Sequence, residues 1–142
     1  EKDVLEIKKA RRVLEILTKD QRLKNYGPYK NAVQEYVEAL AYYFVIKKGF
    51  IPTRGELGSD TETYLMGLSD LSGELMRKGI NDAIKGMAKD TVKMRDVVDE
   101  IYGLILDLDL DGGEARRKTD QVKYALARLE DIVYDMKIRD KL

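Results

Sequence analysis

Four acidic residues on two predicted helices have the types and the spacing of a metal site. Glu35 and Glu38 are three residues apart and share one helix face at the edge of an apolar surface. Asp70 and Glu74 share a face of a later helix in the same way. If the two helices pack side by side, four carboxylates converge, and a cation must offset their repulsion. The pattern predicts Mg²⁺ or Mn²⁺, which prefer carboxylate and water ligands and can activate water beside a phosphate.

The later helix extends this polar arc toward its carboxyl end. Arg77 and Asn81 lie within about 60° of the two acids on a helical projection, and we expect them to face a phosphate. The competing interpretation is a solvated face, on which Glu74 pairs with Arg77 or Lys78 for about 0.2–0.5 kcal/mol. The spacing alone leaves both interpretations open.

A second acidic pattern resembles a calcium site but fails in detail. The run from Asp107 to Gly112 imitates the start of an EF-hand loop. Lys118 stands where that loop needs a bidentate glutamate, and Glu114 stands where it needs an apolar residue. We therefore interpret the run as a helix–helix turn.

Basic residues cluster at two places. Lys8, Arg11 and Arg12 fall on one face of the first predicted helix, and residues 116–118 open the last one. Such faces are usually solvated, but they supply affinity wherever a phosphate backbone must be held. The three residues of the first helix are therefore candidate RNA contacts.

The composition excludes several classes of enzyme. The chain has 142 residues, with 26 basic and 26 acidic side chains and neither cysteine nor histidine. A thiol nucleophile, a disulfide, a Cys/His zinc site and a histidine general base are therefore impossible. The length predicts one domain over residues 1–142. No run is apolar enough to span a membrane, and no signal peptide opens the chain, so we expect a cytoplasmic protein.

Apolar periodicity predicts an all-α chain of five main helices. The first three are expected over residues 3–23, 28–48 and 60–85, the fourth begins at an Asp90 cap, and the fifth follows the turn at 111–113. In the first helix the predicted inner face consists of Ile7, Ala10, Val13, Leu14 and Leu17.

Several residues predict where these helices begin and end. Pro28 suits a first helical turn, and Gly49 suits a left-handed stop. Ser59 and Glu62 have the spacing of a capping box for the third helix. On that helix Gly67 and Gly73 would let another backbone approach closely.

Two of these segments resemble the signature segments of the translin superfamily, which contains translin and TRAX (translin-associated factor X). They are residues 34–39, Gln-Glu-Tyr-Val-Glu-Ala, and residues 64–77, Tyr-Leu-Met-Gly-Leu-Ser-Asp-Leu-Ser-Gly-Glu-Leu-Met-Arg. The last helical stretch, residues 122–139, is also similar to that family. The resemblance covers residues 28–139.

This resemblance implies an antiparallel all-α bundle that assembles into a closed octamer around RNA. TRAX-type subunits are Mg²⁺-dependent endoribonucleases, whereas translin-type subunits bind RNA or single-stranded DNA and lack the full acid set. The TRAX catalytic acids map onto Glu35, Glu38 and Asp70, and Glu74 aligns with a further acid of the site. Because all four are present, the resemblance favours a TRAX-like homo-oligomer that cleaves RNA.

The predicted reaction is attack by a metal-activated water, which leaves 5′-phosphate and 3′-hydroxyl ends. Without histidine, we do not expect attack by the RNA 2′-hydroxyl through an acid–base pair. Three alternatives remain: an all-α nucleotide pyrophosphatase of the MazG or dimeric dUTPase type, a non-catalytic translin-type subunit, and a helical assembly protein. The pyrophosphatases usually carry a Glu-x-x-Asp second motif, whereas Asp70 and Glu74 are four residues apart.

Overall fold

The structure, a computed structural model, describes residues 2–17, 19, 22, 25–107 and 112–139. Every regular element among these residues is a helix: α1 Lys2–Leu17, α2 Gly27–Lys48, α3 Arg54–Leu57, α4 Thr61–Ile84, α5 Ala88–Asp107 and α6 Gly113–Ile138. The all-α prediction is confirmed. The chain forms two compact units, Glu1–Gly67 and Leu68–Leu142, whose boundary falls within α4. The single domain stays a prediction.

Some predicted features lie outside the described residues. They are the end of the first helix at Leu23, the acids Asp109 and Asp111, and the side chains of Ala10, Leu14 and Leu17. The helix–helix turn expected between α5 and α6 is therefore described only at its edges.

Helix α1 packs along α2, but its inner face differs from the predicted one. Arg11, predicted on the outer face, is half-buried because its guanidinium lies over the ring of Tyr36, 5.7 Å from the centroid. Val13, predicted on the inner face, is 57% exposed. The prediction for Val13 is therefore wrong, whereas Ile7, also predicted on the inner face, is half-buried.

Helix α2 begins and ends at the predicted signals. Pro28 lies in its first turn, where a backbone N–H has no intrahelical partner to lose. Gly49 follows the last turn with φ 82°, and its amide donates to the carbonyls of Phe44 and Val45. The left-handed conformation suits glycine because no Cβ is present. Both predicted ends are confirmed.

Helix α3 is an element that the sequence analysis missed. Thr53 precedes it, and the threonine hydroxyl accepts a hydrogen bond from the Glu56 amide at 3.3 Å. The Glu56 carboxylate in turn accepts from the Thr53 amide at 2.7 Å. This reciprocal pair is a capping box. The pKa of Glu56 is lowered by the hydrogen bonds that its carboxylate accepts from the Thr53 amide and, at 2.9 Å, from the Thr53 hydroxyl.

The capping box predicted at Ser59 and Glu62 is wrong. Helix α4 begins at Thr61, so the residue before it is Asp60. The Asp60 carboxylate accepts from the amide of Thr63 at 2.8 Å and from its hydroxyl at 2.7 Å. Ser59 lies one residue too early to reach this position.

The core of the first unit combines α2, α3 and the start of α4. Its buried apolar residues are Val37, Leu40, Ala41, Val45, Leu57, Tyr64, Leu65 and Met66. The Tyr64 hydroxyl donates to the Pro52 carbonyl at 3.0 Å, so this aromatic residue is buried with its polar end satisfied. On α2, Val45 is buried and Tyr42 and Ile46 are half-buried.

The core of the second unit combines the rest of α4 with α5 and α6. Its buried apolar residues include Leu68, Leu71, Leu75, Val98, Ile101, Ile105, Val122, Leu126 and Leu129. Because only residues 108–112 connect α5 to α6, the two packed helices run antiparallel. The cap predicted at Asp90 is wrong, since α5 begins at Ala88 and Asp90 lies within its first turn.

The three helices of this unit approach one another closely at Gly79. A Cβ at this position would lie 2.6 Å from Cδ2 of Leu129 and 3.3 Å from Cβ of Met94. The Thr91 hydroxyl donates to the Gly79 carbonyl at 3.2 Å. A larger residue here would force the Leu129 side chain to shift. Among the described helices, none combines the length and the apolar character needed to cross a bilayer.

Candidate active site

The four predicted metal ligands are divided equally between the two units. Glu35 and Glu38 lie on α2 in the first unit, and Asp70 and Glu74 lie on α4 in the second. Glu35 is exposed, whereas Glu38, Asp70 and Glu74 are partly buried. Three of the acids are therefore at the edge of packed surface, as the sequence pattern predicted.

The turn of α2 that carries the glutamates packs against the backbone of α4. A Cβ at Gly67 would lie 2.5 Å from Cγ1 of Val37 and 3.1 Å from the carbonyl oxygen of Gln34. Only glycine permits this approach, so the close contact predicted at Gly67 is confirmed. Gly73 is different, since a Cβ there would make an ordinary 3.7 Å contact with the side-chain amide of Gln121.

Asp70 forms an ion pair with a lysine of the last helix. The Lys118 ammonium donates to Asp70 Oδ1, and the two residues are 48 positions apart. The side chains of Lys118 and Asp70 are only 19% and 25% exposed, so water screens this pair less than a surface pair. In the sequence Lys118 belongs to a basic cluster, and no local spacing indicates that it pairs with Asp70.

A polar contact beside this ion pair joins the same two helices. The Gln121 side chain, one turn beyond Lys118 on α6, donates to the Ser69 carbonyl at 3.4 Å. The Ser72 hydroxyl donates to the same carbonyl at 2.6 Å, and both serines are buried. Neighbouring residues of α4 are therefore fixed to α6 by two separate side chains.

The remaining residues of the predicted polar arc lie nearer to solvent. Glu74 pairs with Arg77 at 3.5 Å, and Arg77 is 73% exposed. This is one of the two pairings that the solvated-face interpretation proposed for Glu74. Asn81 is exposed. Arg77 and Asn81 are thus accessible to a ligand, but the structure places neither against Asp70.

The three basic candidates on α1 have different environments. Lys8 and Arg12 are exposed, as predicted. Arg11 instead donates to the Tyr36 hydroxyl at 3.2 Å and to Glu15 at 2.7 Å. The hydrogen bond to Tyr36 raises the pKa of Arg11 in spite of its partial burial. Arg11 is therefore engaged in packing α1 on α2.

The donor chemistry of the four acids fits a hard divalent cation, because carboxylate oxygens are the ligands that Mg²⁺ and Mn²⁺ prefer. Within the part of the chain that the structure describes, no three acidic residues form a group that could hold a metal ion. The cation found at Asp70 is the Lys118 ammonium. The assignment of these acids as metal ligands stays a prediction.

Comparison with known protein families matches residues 2–140 to the Translin family. The chain belongs to this family. Its all-α architecture is that of the family, and the predicted resemblance to the translin superfamily is confirmed. This membership favours the translin-type interpretation over the helical pyrophosphatases.

Individual relatives include both branches of the family. Translin of Gallus gallus is 30% identical over 80 residues, which cover 56% of this chain and 35% of that protein. Translin-associated protein X of Pongo abelii is 26% identical over 140 aligned positions, covering 75% of this chain and 48% of that protein. The chain thus spans about a third to a half of the length of these relatives.

Two solved structures are similar over most of the chain. The crystal structure of apo-NeC3PO has a TM-score of 0.79 and 34% identity, covering 90% of this chain and 68% of that one. The complex of AfC3PO with duplex RNA has a TM-score of 0.81 and 25% identity, covering 95% of this chain and 73% of that one.

Proposed function

We propose that this protein binds RNA and cleaves it as a TRAX-type, Mg²⁺-dependent endoribonuclease. The observation that carries the RNA-binding part is the similarity over 95% of the chain to AfC3PO, which was solved with duplex RNA. The catalytic part rests on the acids that match the TRAX pattern, Glu35, Glu38 and Asp70, with Glu74 as a further ligand.

The packing of α2 holds its two glutamates on a fixed part of the first unit. Val37, which lies between the two glutamates, is the residue whose side chain packs onto Gly67. Gly67 precedes Asp70 by three residues, which is less than one helical turn. The contact fixes the turn that carries Glu35 and Glu38 within the first unit.

Each group of residues has a distinct proposed task. The four carboxylates would hold the metal, and a metal bound there would activate a water molecule and stabilise charge on the phosphate. Arg77 and Asn81 are accessible to the phosphate, and exposed Lys8 and Arg12 would hold the RNA backbone. Arg11 would support this surface by fixing α1 to α2.

The resemblance also supports a homo-oligomer, and we propose the octamer as its form. Zero net charge suits an assembly in which local basic faces line an RNA surface better than it suits a uniformly basic monomer. Large apolar residues that remain exposed are consistent with subunit contacts, among them Ile16, Ile84 and Tyr134. If the octamer is right, native mass spectrometry would report the mass of eight chains of 16.3 kDa each.

The decisive experiment digests end-labelled duplex and single-stranded RNA over a Mg²⁺ titration. We expect wild-type cleavage to require the metal, to stop with EDTA and to leave 5′-phosphate and 3′-hydroxyl ends. Glu38→Gln and Asp70→Asn should lower the rate by at least about 10²-fold, because each removes a charged metal ligand. Glu62→Gln changes an exposed acid of α4 in the same way and should leave the rate unchanged.

Cleavage that survives EDTA, or that leaves cyclic phosphates, would contradict this mechanism.

One observation favours a second function, a translin-type subunit that binds RNA without cutting it: Asp70 already has Lys118 as a cation. In that case RNA would bind to wild type and to Asp70→Asn equally, and neither protein would cleave it at any Mg²⁺ concentration.

A further inference from the structure

Lys118 has no role in the proposed function, yet its ammonium group binds the carboxylate that this function needs most. The lysine extends from α6 and is four-fifths buried. A lysine that only solubilised the surface would keep its charge in water, as Lys123 does on the same helix. The burial of Lys118 shows that its charge is committed to the interior of the second unit.

We propose that Lys118 is a positioning residue that holds Asp70 in the metal-free protein and competes with the divalent cation for it. This inference rests on the proposed function, since it assumes that Asp70 is a metal ligand. It adds a second state to the site: a closed state with the lysine on Asp70, and a loaded state in which the pair is broken.

Two features of the structure favour competition over a purely structural role. The lysine takes an oxygen of the carboxylate itself, Oδ1, which a metal ion would also need. In addition, α6 is already attached to α4 beside this point by the contact between Gln121 and the Ser69 carbonyl. The helices therefore keep a polar link when the lysine moves away.

Charge leads to the same conclusion. A partly buried carboxylate without a cation is costly, so the apo protein gains from the lysine. A divalent ion compensates the carboxylate more strongly, but the ammonium then lies beside a like charge and must move. Lys118 thus stabilises the empty site and raises the metal concentration needed to fill it.

The test measures Mn²⁺ binding to the full-length chain by electron paramagnetic resonance, without RNA and without turnover. We expect Lys118→Met to bind Mn²⁺ about five- to tenfold more tightly than wild type, since a screened ion pair and a like charge are both removed. Lys118→Gln serves as a second variant in case the methionine impairs folding. Loss of a merely structural lysine would weaken metal binding or leave it unchanged.

Two controls separate competition from net charge. Lys118→Arg keeps a cation at the position and should bind Mn²⁺ as wild type does. Lys123→Met removes one positive charge from an exposed site on the same helix and should also match wild type. Without metal, Lys118→Met should have a lower melting temperature than wild type. Added Mn²⁺ should raise the melting temperature of Lys118→Met more than that of wild type.

Asp70→Asn distinguishes failure of this inference from failure of the proposed function. If Asp70→Asn loses Mn²⁺ and Lys118→Met binds no tighter than wild type, the metal site stands and competition by Lys118 is wrong. If Asp70→Asn binds Mn²⁺ as wild type does, Asp70 is not a ligand, and the proposed function and this inference both fail.

Discussion

At the scale of single residues, Asp82 shows how a buried charge depends on one neighbour. Its carboxylate accepts from the Lys78 ammonium at 2.8 and 3.0 Å, and its side chain is only 6% exposed. The sequence analysis weighed Lys78 only as a partner of Glu74. The i, i+4 spacing of Lys78 and Asp82 was a signal that could have identified the pair.

We expect Lys78→Met to destabilise the protein by about 2–3 kcal/mol, because it leaves the Asp82 carboxylate buried without a cation. Urea unfolding followed by circular dichroism would measure the change. Lys93→Met is the matched control, since Lys93 is 71% exposed and pairs with Asp90 at 3.4 Å. It should change stability by less than about 0.5 kcal/mol, and equal effects of the two variants would contradict a special role for Asp82.

The candidate site was only partly predictable at this scale. Asp70, Glu74 and Arg77 could be placed on one helix because periodicity alone decides which residues share a face. The partner of Asp70 could not be predicted, because Lys118 is 48 positions away and no local spacing connects the two. Only the packing of α6 on α4 brings them together.

At the scale of secondary structure, helix stops were easier to predict than helix starts. Gly49 ends α2 where expected, because a left-handed residue strongly favours glycine. The start of α4 was misassigned, since both Ser59 and Asp60 are good caps and the sequence does not decide between adjacent candidates. Tertiary packing decides, because it fixes the first helical residue at Thr61.

The Asp60 cap should make stability depend on acid pH. Partial burial raises the pKa of Asp60, but the hydrogen bonds from Thr63 outweigh it and hold the pKa below its ordinary value of 3.8. Because the pKa of Asp60 is lower in the folded protein, its charged carboxylate stabilises the fold at pH values above the ordinary pKa. This contribution is lost as the pH falls through the lowered pKa. Asp60→Ala should therefore cost about 1 kcal/mol at pH 7 and less below about pH 4.

Urea unfolding of wild type and Asp60→Ala at pH 7 and pH 3 would measure this difference. Asp60→Asn is the control, because an amide oxygen can still cap the helix but has no charge to lose in this range. A cost for Asp60→Ala that is the same at both pH values would show that the charge of the cap contributes nothing.

Glycines in two helices should respond in opposite ways to the same substitution. Gly67→Ala forces Val37 and the α2 backbone away from α4, and we expect a loss of about 1–3 kcal/mol. Gly103→Ala on α5 meets no atom within 4 Å and should gain about 0.5–1 kcal/mol from helix propensity. Thermal unfolding of both variants would test this, and a stabilising Gly67→Ala would contradict the close packing of α2 on α4.

At the scale of the whole molecule, function must come from local charge, because the 26 basic and 26 acidic side chains cancel. The all-α class was predictable, since apolar residues recur at helical spacing along the predicted elements. The half-burial of Arg11 was not, because its contact with Tyr36 depends on a residue 25 positions away in the sequence.

Salt should reveal which basic residues contact RNA. We expect Lys8→Ala with Arg12→Ala to weaken duplex RNA binding and to lower the slope of log affinity against log salt by about 1.4–1.8, as two phosphate contacts are lost. Lys89→Ala with Lys93→Ala removes the same charge from exposed positions of α5 and serves as the control. Equal slopes for wild type and the α1 variant, measured by fluorescence anisotropy, would remove Lys8 and Arg12 from the RNA surface.

The glycines of α4 also bear on how the protein folds. Gly67, Gly73 and Gly79 lie within one helix of 24 residues, and each costs about 1 kcal/mol of helix propensity relative to alanine. Alone, this segment would be a weak helix former, since nucleation is unfavourable and it has little intrinsic preference to offset that cost. Helix α4 therefore depends on its neighbours for its own conformation, and we expect it to be consolidated after α2, α5 and α6 have begun to collapse around it.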